Sequence, residues 1–162
     1  LGAADVATGE REVDDGLHVV HAEAVLGEPH RVDEHRVPRG AVNADVVLNA
    51  GDGIEIFDNI TREAVDELGL KRGREAVALI KSSLVLLSPD PGIRISARNR
   101  LVGTIASITQ GAVNCEVKIE LAGSRTVVAI VTREGLKELG LRKGSPCVAL
   151  VKASHVLIAV ND

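Results

Sequence analysis

The stretch GAVNCEVKIELAGSRTVVAIVTREGLKELGLRKGSPCVALVKASHVLI, residues 111–158, decides the fold, because a related version of it already occupies residues 40–87. The two stretches align without a gap at an offset of 71 residues, and 20 of the 48 aligned pairs are identical. Repetition at a fixed offset is typical of a domain that is present in more than one copy. The sequence therefore predicts two tandem copies of one small domain.

Each copy combines β-branched runs, turn signals and one short helical pattern. In the later copy these patterns predict strands over residues 100–109, 114–121, 125–131, 146–152 and 155–160. A short helix is predicted between an N-capping Thr132 and Gly140. A helix between strands three and four of a five-stranded set is the order of the OB-type Greek-key barrel. The predicted fold class is all-β: two tandem OB-like five-stranded Greek-key barrels, each with one short helix, the first incomplete.

The first copy is incomplete because its match to the second begins abruptly at Gly40. Where the second copy has Ser-Ala-Arg-Asn at 96–99, the aligned residues 25–28 read Val-Leu-Gly-Glu. Residues 1–39 show no sustained hydrophobic period. We interpret them as a weakly ordered arm, as a frame-shifted or wrongly started translation, or as a diverged first strand. Sequencing the DNA upstream of codon 40 would distinguish these interpretations.

Four of the five histidines fall in this segment, at His18, His21, His30 and His35. A metal site is one interpretation, but no pair of them has a convincing carboxylate or cysteine partner, so a solvated arm is favoured. We predict an atypical N-terminal segment at 1–39, a partial first domain at 40–88, a linker at 89–94 and a complete second domain at 95–162. Domains of this size have marginal cores, so we expect the copies to pack together or to form homo-oligomers.

Composition excludes several function classes. Phe57 is the only aromatic residue of the Phe, Trp and Tyr type, and residues 40–162 carry 15 Lys+Arg against 14 Asp+Glu. Nucleic-acid binders use a basic face and, for single strands, aromatic stacking, so this chain alone is not expected to bind nucleic acid. No apolar run is long enough to span a membrane, and no signal peptide is evident, which favours the cytoplasm. Cys115 and Cys147 lack metal-ligand spacing and are expected to be buried, reduced thiols.

Three short segments concentrate hydrogen-bond donors. Ser96-Ala-Arg-Asn99 offers a hydroxyl, a guanidinium, an amide and backbone N–H groups, which suit a tetrahedral oxyanion. Thr132 begins the short helix, where free N–H groups favour an anion, and Lys152-Ala-Ser154 interrupts an apolar strand. Turn formation, helix capping and snorkelling would explain these residues singly. Together they predict one oxyanion site made from Ser96–Asn99, Thr132 and Lys152–Ser154.

These segments, with Gly111-Ala-Val-Asn114 and Leu139-Gly-Leu141, resemble the Mop domain. This is the module of molbindins, of the effector half of molybdate-responsive transcription regulators and of some molybdate transporter ATPases. The resemblance implies an OB-like barrel, tandem copies that oligomerise, and molybdate or tungstate bound at interfaces between domains. The oxyanion ligands that it implies, with the neighbouring Asn99 added from the residues themselves, are Ser96, Ala97, Arg98, Asn99, Thr132, Lys152, Ala153 and Ser154.

In the first copy, the counterparts of these ligands are Thr61, Lys81, Ser82 and Ser83. That copy has no Ser-Ala-Arg-Asn segment, and both copies lack a hydroxyl three positions after the Thr. A second type of family site would use Val113 and Asn114. No side chain is expected to coordinate a metal directly.

The sequence thus predicts a cytoplasmic molybdate or tungstate oxyanion-binding protein, a molbindin-like storage or homeostasis protein. The alternative is the effector-binding half of a molybdate-responsive transcription regulator that lacks its DNA-binding domain. An enzyme is disfavoured, because no nucleophile, base and orienting group can be assembled from residues 40–162.

Overall fold

The computed structural model describes residues 17–25 and 42–161. The described strands are β1 (Leu17–Val25), β2 (Asn43–Gly51), β3 (Ile54–Thr61), β4 (Arg74–Lys81), β5 (Leu86–Ser88), β6 (Asn99–Gln110), β7 (Asn114–Glu120), β8 (Thr126–Thr132), β9 (Pro146–Val151) and β10 (Val156–Ala159). The described α-helices are α1 (Arg62–Glu67) and α2 (Arg133–Glu138). Short 3-10 turns at Ser82–Leu84 and Ala153–His155 precede β5 and β10. Predicted and observed bounds agree to within a few residues.

The strands form two five-stranded antiparallel sheets, in the orders β10-β4-β1-β2-β3 and β5-β9-β6-β7-β8. Each sheet takes four strands from one copy and its fifth strand from the other. Val156 of β10 lies opposite Ile80 in the first sheet, and Leu86 of β5 lies opposite Leu150 in the second. The copies therefore exchange their last strands, although the sequence assigned residues 86–88 to the first domain. In each barrel the borrowed strand also approaches the far edge strand, which curls the sheet towards closure.

The first strand of the first copy comes from the atypical N-terminal segment. Glu23 of β1 lies opposite Asn49 and Glu75, just as Thr104 of β6 lies opposite Glu120 and Pro146. The equivalent residues Glu23 and Thr104 are 81 residues apart, whereas equivalent residues in the rest of the two copies are 71 residues apart. The segment that joins β1 to β2 is therefore ten residues longer than the segment that joins β6 to β7.

The first copy is thus incomplete in its sequence match, while β1 fills the position of the missing strand. This agrees with the interpretation of a diverged first strand. The rest of residues 1–39, with His30 and His35, lies outside the described residues.

The core is built almost entirely from Val, Ile, Leu and Ala. One contiguous cluster of buried side chains includes Leu48 and Ile56 of the first copy and Val117 and Ile119 of the second. Full burial of such side chains stabilises a fold by about 1.5–3 kcal/mol each, which offsets the lack of aromatic residues. As predicted, Cys115 and Cys147 are buried and free, and burial raises the pKa of the Cys147 thiol.

Both helices are six residues long and begin with the predicted threonine caps. The Oγ1 of Thr61 accepts a hydrogen bond from the Ala64 N–H at 3.1 Å, and the Oγ1 of Thr132 accepts one from the Gly135 N–H at 3.0 Å. Each helix ends before a glycine in the left-handed region, which a side chain would disfavour. In the described part of the chain, no helix has the length and apolar character needed to cross a membrane.

Candidate functional site

Two donor-rich segments of the second copy lie side by side. Asn99 at the start of β6 is opposite Val151 at the end of β9. Ser96–Asn99 and Lys152–Ser154 therefore meet where these two neighbouring strands of the second sheet begin and end. The 3-10 turn at Ala153–His155 packs against β3 of the first copy, the strand that ends at Thr61. We name this region, made of Ser96–Asn99, Lys152–Ser154 and β3, the Arg98 junction.

Asn99 of the second copy forms two hydrogen bonds with the first copy at this junction. It is fully buried, and its Oδ1 accepts a hydrogen bond from the Phe57 N–H at 2.7 Å, while its Nδ2 donates one to the Phe57 carbonyl at 2.8 Å. The amide thereby supplies both partners that a neighbouring strand would give to Phe57. These two contacts make Asn99 a positioning residue for the adjoining Arg98.

Arg98 lies across the junction on the outer face of the first copy. Its Nη1 donates a hydrogen bond to Asp45 Oδ2 at 3.0 Å, and its guanidinium carbon lies 4.5 Å from the centre of the Phe57 ring. The other Asp45 oxygen, Oδ1, accepts a hydrogen bond from Asn59 Nδ2 at 2.7 Å. A charge pair and a cation–π contact therefore hold the guanidinium at the surface, where its side chain is 45% exposed.

The remaining donors of the Arg98 junction are open to solvent. Ser96, Lys152 and Ser154 are exposed, and their side chains make no hydrogen bond to any other described residue. Ala97 and Ala153 are buried, so only their backbone groups can serve a ligand. An ammonium, a guanidinium and two hydroxyls are thus gathered beside the end of one sheet, an arrangement that suits a small anion.

The counterpart residues form a second junction on the other side. The 3-10 turn at Ser82–Leu84 packs against β8, the strand that ends at Thr132. We name the region made of Lys81–Ser83, β1 and β8 the Lys81 junction. Lys81 and Ser83 are exposed, whereas Ser82 is buried.

The register of β1 sets the composition of the Lys81 junction. His18 lies opposite Ile80, as Asn99 lies opposite Val151, so Leu17 holds the strand position that corresponds to Arg98. The facing residues differ as well: Asp45, Phe57 and Asn59 correspond to Glu116, Val128 and Ile130 at the offset of 71. The Lys81 junction therefore lacks counterparts of the guanidinium, the Phe57 ring and the Asn59 amide, while Glu116 keeps a carboxylate at the position of Asp45.

The structure groups the predicted residues differently from the sequence. The sequence predicts Thr132 in one site with Ser96–Asn99 and Lys152–Ser154. In the structure, the strand of Thr132 packs against the turn that contains Ser82 and Ser83. Thr61, its counterpart, ends the strand that lies beside Arg98. The exchange of the last strands is the reason, because it lays each Lys-x-Ser segment against the opposite copy. Val113 and Asn114 are exposed beside Thr132 and the start of α2: Asn114 lies opposite Thr132, and the Val113 carbonyl accepts a hydrogen bond from the Arg133 N–H at 3.0 Å.

Sequence reasoning missed Asp45, Phe57 and Asn59. They lie on β2 and β3 of the first copy, the part that the repeat marked as lacking the Ser-Ala-Arg-Asn segment. One signal was available, because Phe57 is the only aromatic residue and lies in a strand. Its pairing with Arg98 follows only from the packing of the two copies.

Comparisons with known proteins identify the family of the chain. The model of the TOBE domain family matches residues 34–87 and 95–158. "Molybdenum-pterin-binding protein MopA" of Rhodobacter capsulatus is 46% identical over 127 residues, which cover 77% of this chain and 48% of the relative. "Transcriptional regulator ModE" of Yersinia pestis is 39% identical over 100 residues, which cover 62% of this chain and 38% of the relative. The chain thus spans about half the length of MopA, and less of ModE.

A crystal structure described as the cytoplasmic molybdate-binding protein ModG, with molybdate bound, has a similar fold. It is 37% identical in sequence, with a TM-score of 0.75, and the match covers 88% of this chain and 95% of that one. The two matched segments correspond to the two copies found in the repeat, and together they span more than half of the chain. The chain therefore belongs to the TOBE domain family, as a tandem protein with two copies of the domain of the Mop type.

Proposed function

We propose that the chain binds molybdate or tungstate at the Arg98 junction. The observation that carries this proposal is the gathering of Arg98, Lys152, Ser96 and Ser154 at one edge of the second sheet, with three of these side chains exposed and without a partner in the described residues. The names of MopA and of the molybdate-bound ModG structure support the same ligand class.

The chemistry of the junction suits a tetrahedral dianion. Molybdate and tungstate are doubly charged at neutral pH and accept hydrogen bonds without needing a proton from the protein. Arg98 and Lys152 supply two positive charges and only donors, while the hydroxyls of Ser96 and Ser154 add directed hydrogen bonds. Thr61 and the backbone N–H groups of Ala97 and Ala153 would complete the shell. Sulfate has the same charge and a smaller radius, so its exclusion depends on the size of the closed site.

We further propose that the biological role is molybdate storage or homeostasis in the cytoplasm, with binding and not catalysis as the activity. The description of ModG as a cytoplasmic molybdate-binding protein supports this role. We also propose that the chain forms homo-oligomers, with a second type of site near Val113 and Asn114. The high exposure of Val113, 70%, and of its counterpart Val42, 73%, supports an interface there.

The alternative role is the effector-binding half of a molybdate-responsive regulator. The similarity to the transcriptional regulator ModE supports it, since this chain covers 38% of that relative. A helix-turn-helix reading frame upstream of the gene segment would favour the regulator. DNA binding by residues 1–162 alone is expected under neither role.

Calorimetric titration with molybdate, tungstate and sulfate tests the proposed site. We expect molybdate and tungstate to bind the unaltered chain, and Arg98→Ala and Lys152→Ala each to weaken binding by about 10- to 100-fold, because each removes a charge-assisted hydrogen bond of about 1.5–3 kcal/mol.

Lys81→Ala is the matched control, because Lys81 is the counterpart of Lys152 at the junction without a guanidinium. It should change the affinity of the Arg98 site less than about twofold, while any weaker second site would be lost. Binding that survives unchanged in both Arg98→Ala and Lys152→Ala would place the ligand elsewhere and defeat this assignment.

A further inference from the structure

The guanidinium of Arg98 already holds an anion, the carboxylate of Asp45. The two groups are 3.0 Å apart and both are partly exposed, 45% for Arg98 and 58% for Asp45. Ion pairs that are this exposed contribute little to stability, because water screens both charges. The pair is therefore strong enough to orient the guanidinium and weak enough for a doubly charged ligand to break.

We propose that Asp45 is an intramolecular competitor for Arg98, occupying the guanidinium when the Arg98 junction is empty and yielding it to the bound oxyanion. This inference rests on the proposed function and adds a residue that sets the affinity of the site. A carboxylate beside Arg98 repels the anion that Arg98 attracts. The proposed anion site therefore does not itself account for Asp45 at this position.

Asp45 stays near the ligand after it is displaced. Its strand β2 lies in the interior of the first sheet, and Asn59 Nδ2 holds the Oδ1 atom at 2.7 Å, within a chain of hydrogen bonds that continues from Asn43 to Asn59 at 3.1 Å. The carboxylate can release Arg98 but cannot move far from it. Its negative charge thus lowers the affinity of the junction for a dianion in the bound state as well as in the empty one.

The orientation of Arg98 does not depend on Asp45 alone. The Phe57 ring lies under the guanidinium, and Asn99, next along the chain, is bound to Phe57 through two hydrogen bonds. Removing the charge of Asp45 should therefore leave Arg98 in place and free its donors. The proposal predicts a gain of affinity, whereas a purely positioning role of Asp45 predicts a loss.

The second copy supplies a matched control. Glu116 is the counterpart of Asp45, lies opposite Ile130 and makes no ion pair with another described residue. Glu116→Gln changes the net charge of the protein by the same amount as Asp45→Asn. It separates the local effect at Arg98 from the general effect of one negative charge fewer.

The test is calorimetric titration of the full chain and of the variants Asp45→Asn, Asp45→Ala and Glu116→Gln with tungstate and molybdate at fixed ionic strength. We expect both Asp45 variants to bind about tenfold more tightly, because they remove an exposed unit charge whose repulsion of the dianion is weakened by water and salt, and Glu116→Gln to differ by less than about twofold. Equal or weaker binding by both Asp45 variants, or equal tightening by Glu116→Gln, would overturn the inference.

Failure of the proposed function has a different signature. The anion site itself is wrong if Arg98→Ala does not abolish the binding of molybdate or tungstate, or if neither ligand binds the unaltered chain and the Asp45 variants at all. If Arg98-dependent binding is present and Asp45→Asn does not tighten it, only the role of Asp45 is wrong. Circular dichroism of each variant confirms that a change in affinity does not come from unfolding.

Discussion

At the scale of single residues, Asp58 is the least expected feature of the molecule. It points to the core side of β3, is 1% exposed, and neither of its carboxylate oxygens has a hydrogen-bond partner among the described residues. Burial raises the pKa of Asp58 from 3.8 to about 7, and the nearby backbone N–H of Asn59, which is outside good hydrogen-bond geometry, opposes the rise only in part. The corresponding residue of the second copy is Ala129, which is also buried. The fold therefore tolerates an apolar residue at this position.

We predict that Asp58 makes the stability of the protein depend on pH. The folded state keeps a proton on Asp58 up to a pH of about 7, whereas the unfolded chain releases it near 3.8. The free energy of unfolding should therefore fall as the pH rises through this window, by at most about 1.4 kcal/mol per pH unit, and level off above it. Denaturant titrations between pH 4 and pH 9 measure this slope.

Asp58→Ala and Asp58→Asn should both flatten the slope. At pH 8, Asp58→Ala should raise the free energy of unfolding by about 1–3 kcal/mol, because it removes a buried carboxylate without a partner. The gain should shrink at pH 5, where Asp58 is neutral in the folded state. A slope that persists unchanged in Asp58→Asn would assign the pH dependence to other groups.

The residues that could be predicted are those that stand out against their surroundings in the sequence. Arg98, Lys152 and Ser154 interrupt apolar or regular patterns, and two of them recur in the first copy. Asp45 and Asn59 do not stand out, because polar residues on the outer face of a strand are expected wherever a strand meets water. Their importance comes from the guanidinium that another part of the chain lays across them, 53 residues away from Asp45.

At the scale of secondary-structure elements, the contact between β6 and β3 links the two barrels. The Asn99 side chain supplies it by pairing with both backbone groups of Phe57. β3 is an edge strand of the first sheet, so these groups would otherwise lack a partner from a neighbouring strand. The link also fixes the start of β6, and with it the backbone that carries Arg98.

We predict that Asn99→Ala lowers the free energy of unfolding by about 2–3 kcal/mol, because it removes two hydrogen bonds and leaves the partly buried N–H and carbonyl of Phe57 without partners. It should also weaken oxyanion binding, since Arg98 loses its anchor. Guanidinium chloride unfolding measures the first effect and calorimetry the second. Gln110→Ala is the control: Gln110 ends the same strand and is exposed, so its loss should change stability by less than about 0.5 kcal/mol. Equal costs for the two variants would contradict the anchoring role.

At the scale of the whole molecule, exposed apolar side chains recur at equivalent positions. Val42 and Val113 are 73% and 70% exposed, and Leu86 and Leu157 are 55% and 60% exposed. Each pair is related by the offset of 71 residues. An exposed apolar residue is ordinary by itself, but its recurrence in both copies supports the proposed interface with another molecule of this chain.

We predict that the chain sediments as an oligomer at micromolar concentration, and that the double variant Val42→Asp with Val113→Asp shifts it towards the monomer. Analytical ultracentrifugation measures the change. Val102→Asp is the control, because Val102 is 63% exposed and aligns with a histidine, His21, in the first copy. A monomeric unaltered chain, or an equal shift with Val102→Asp, would contradict the proposed interface.

The repeat made the barrel fold predictable, but it could not reveal which barrel receives each last strand. Val85-Leu-Leu87 and Val156-Leu-Ile158 are nearly the same sequence, so either would fit either barrel with similar local contacts. Only the path of the chain after each 3-10 turn decides between the two pairings. β1 could not be predicted for a different reason: the extra ten residues after it shift its alignment away from the offset of the repeat.

The exchange of last strands has an evolutionary consequence. In a homodimer of two identical single-domain chains, the two junctions would be related by twofold symmetry. Every substitution would then change both junctions at once. Joining the two halves in one gene removes that coupling, so one junction can keep Arg98 while the other carries Leu17 at the corresponding strand position. A single polypeptide can in this way carry two junctions of different composition, and natural selection can adjust each of them separately.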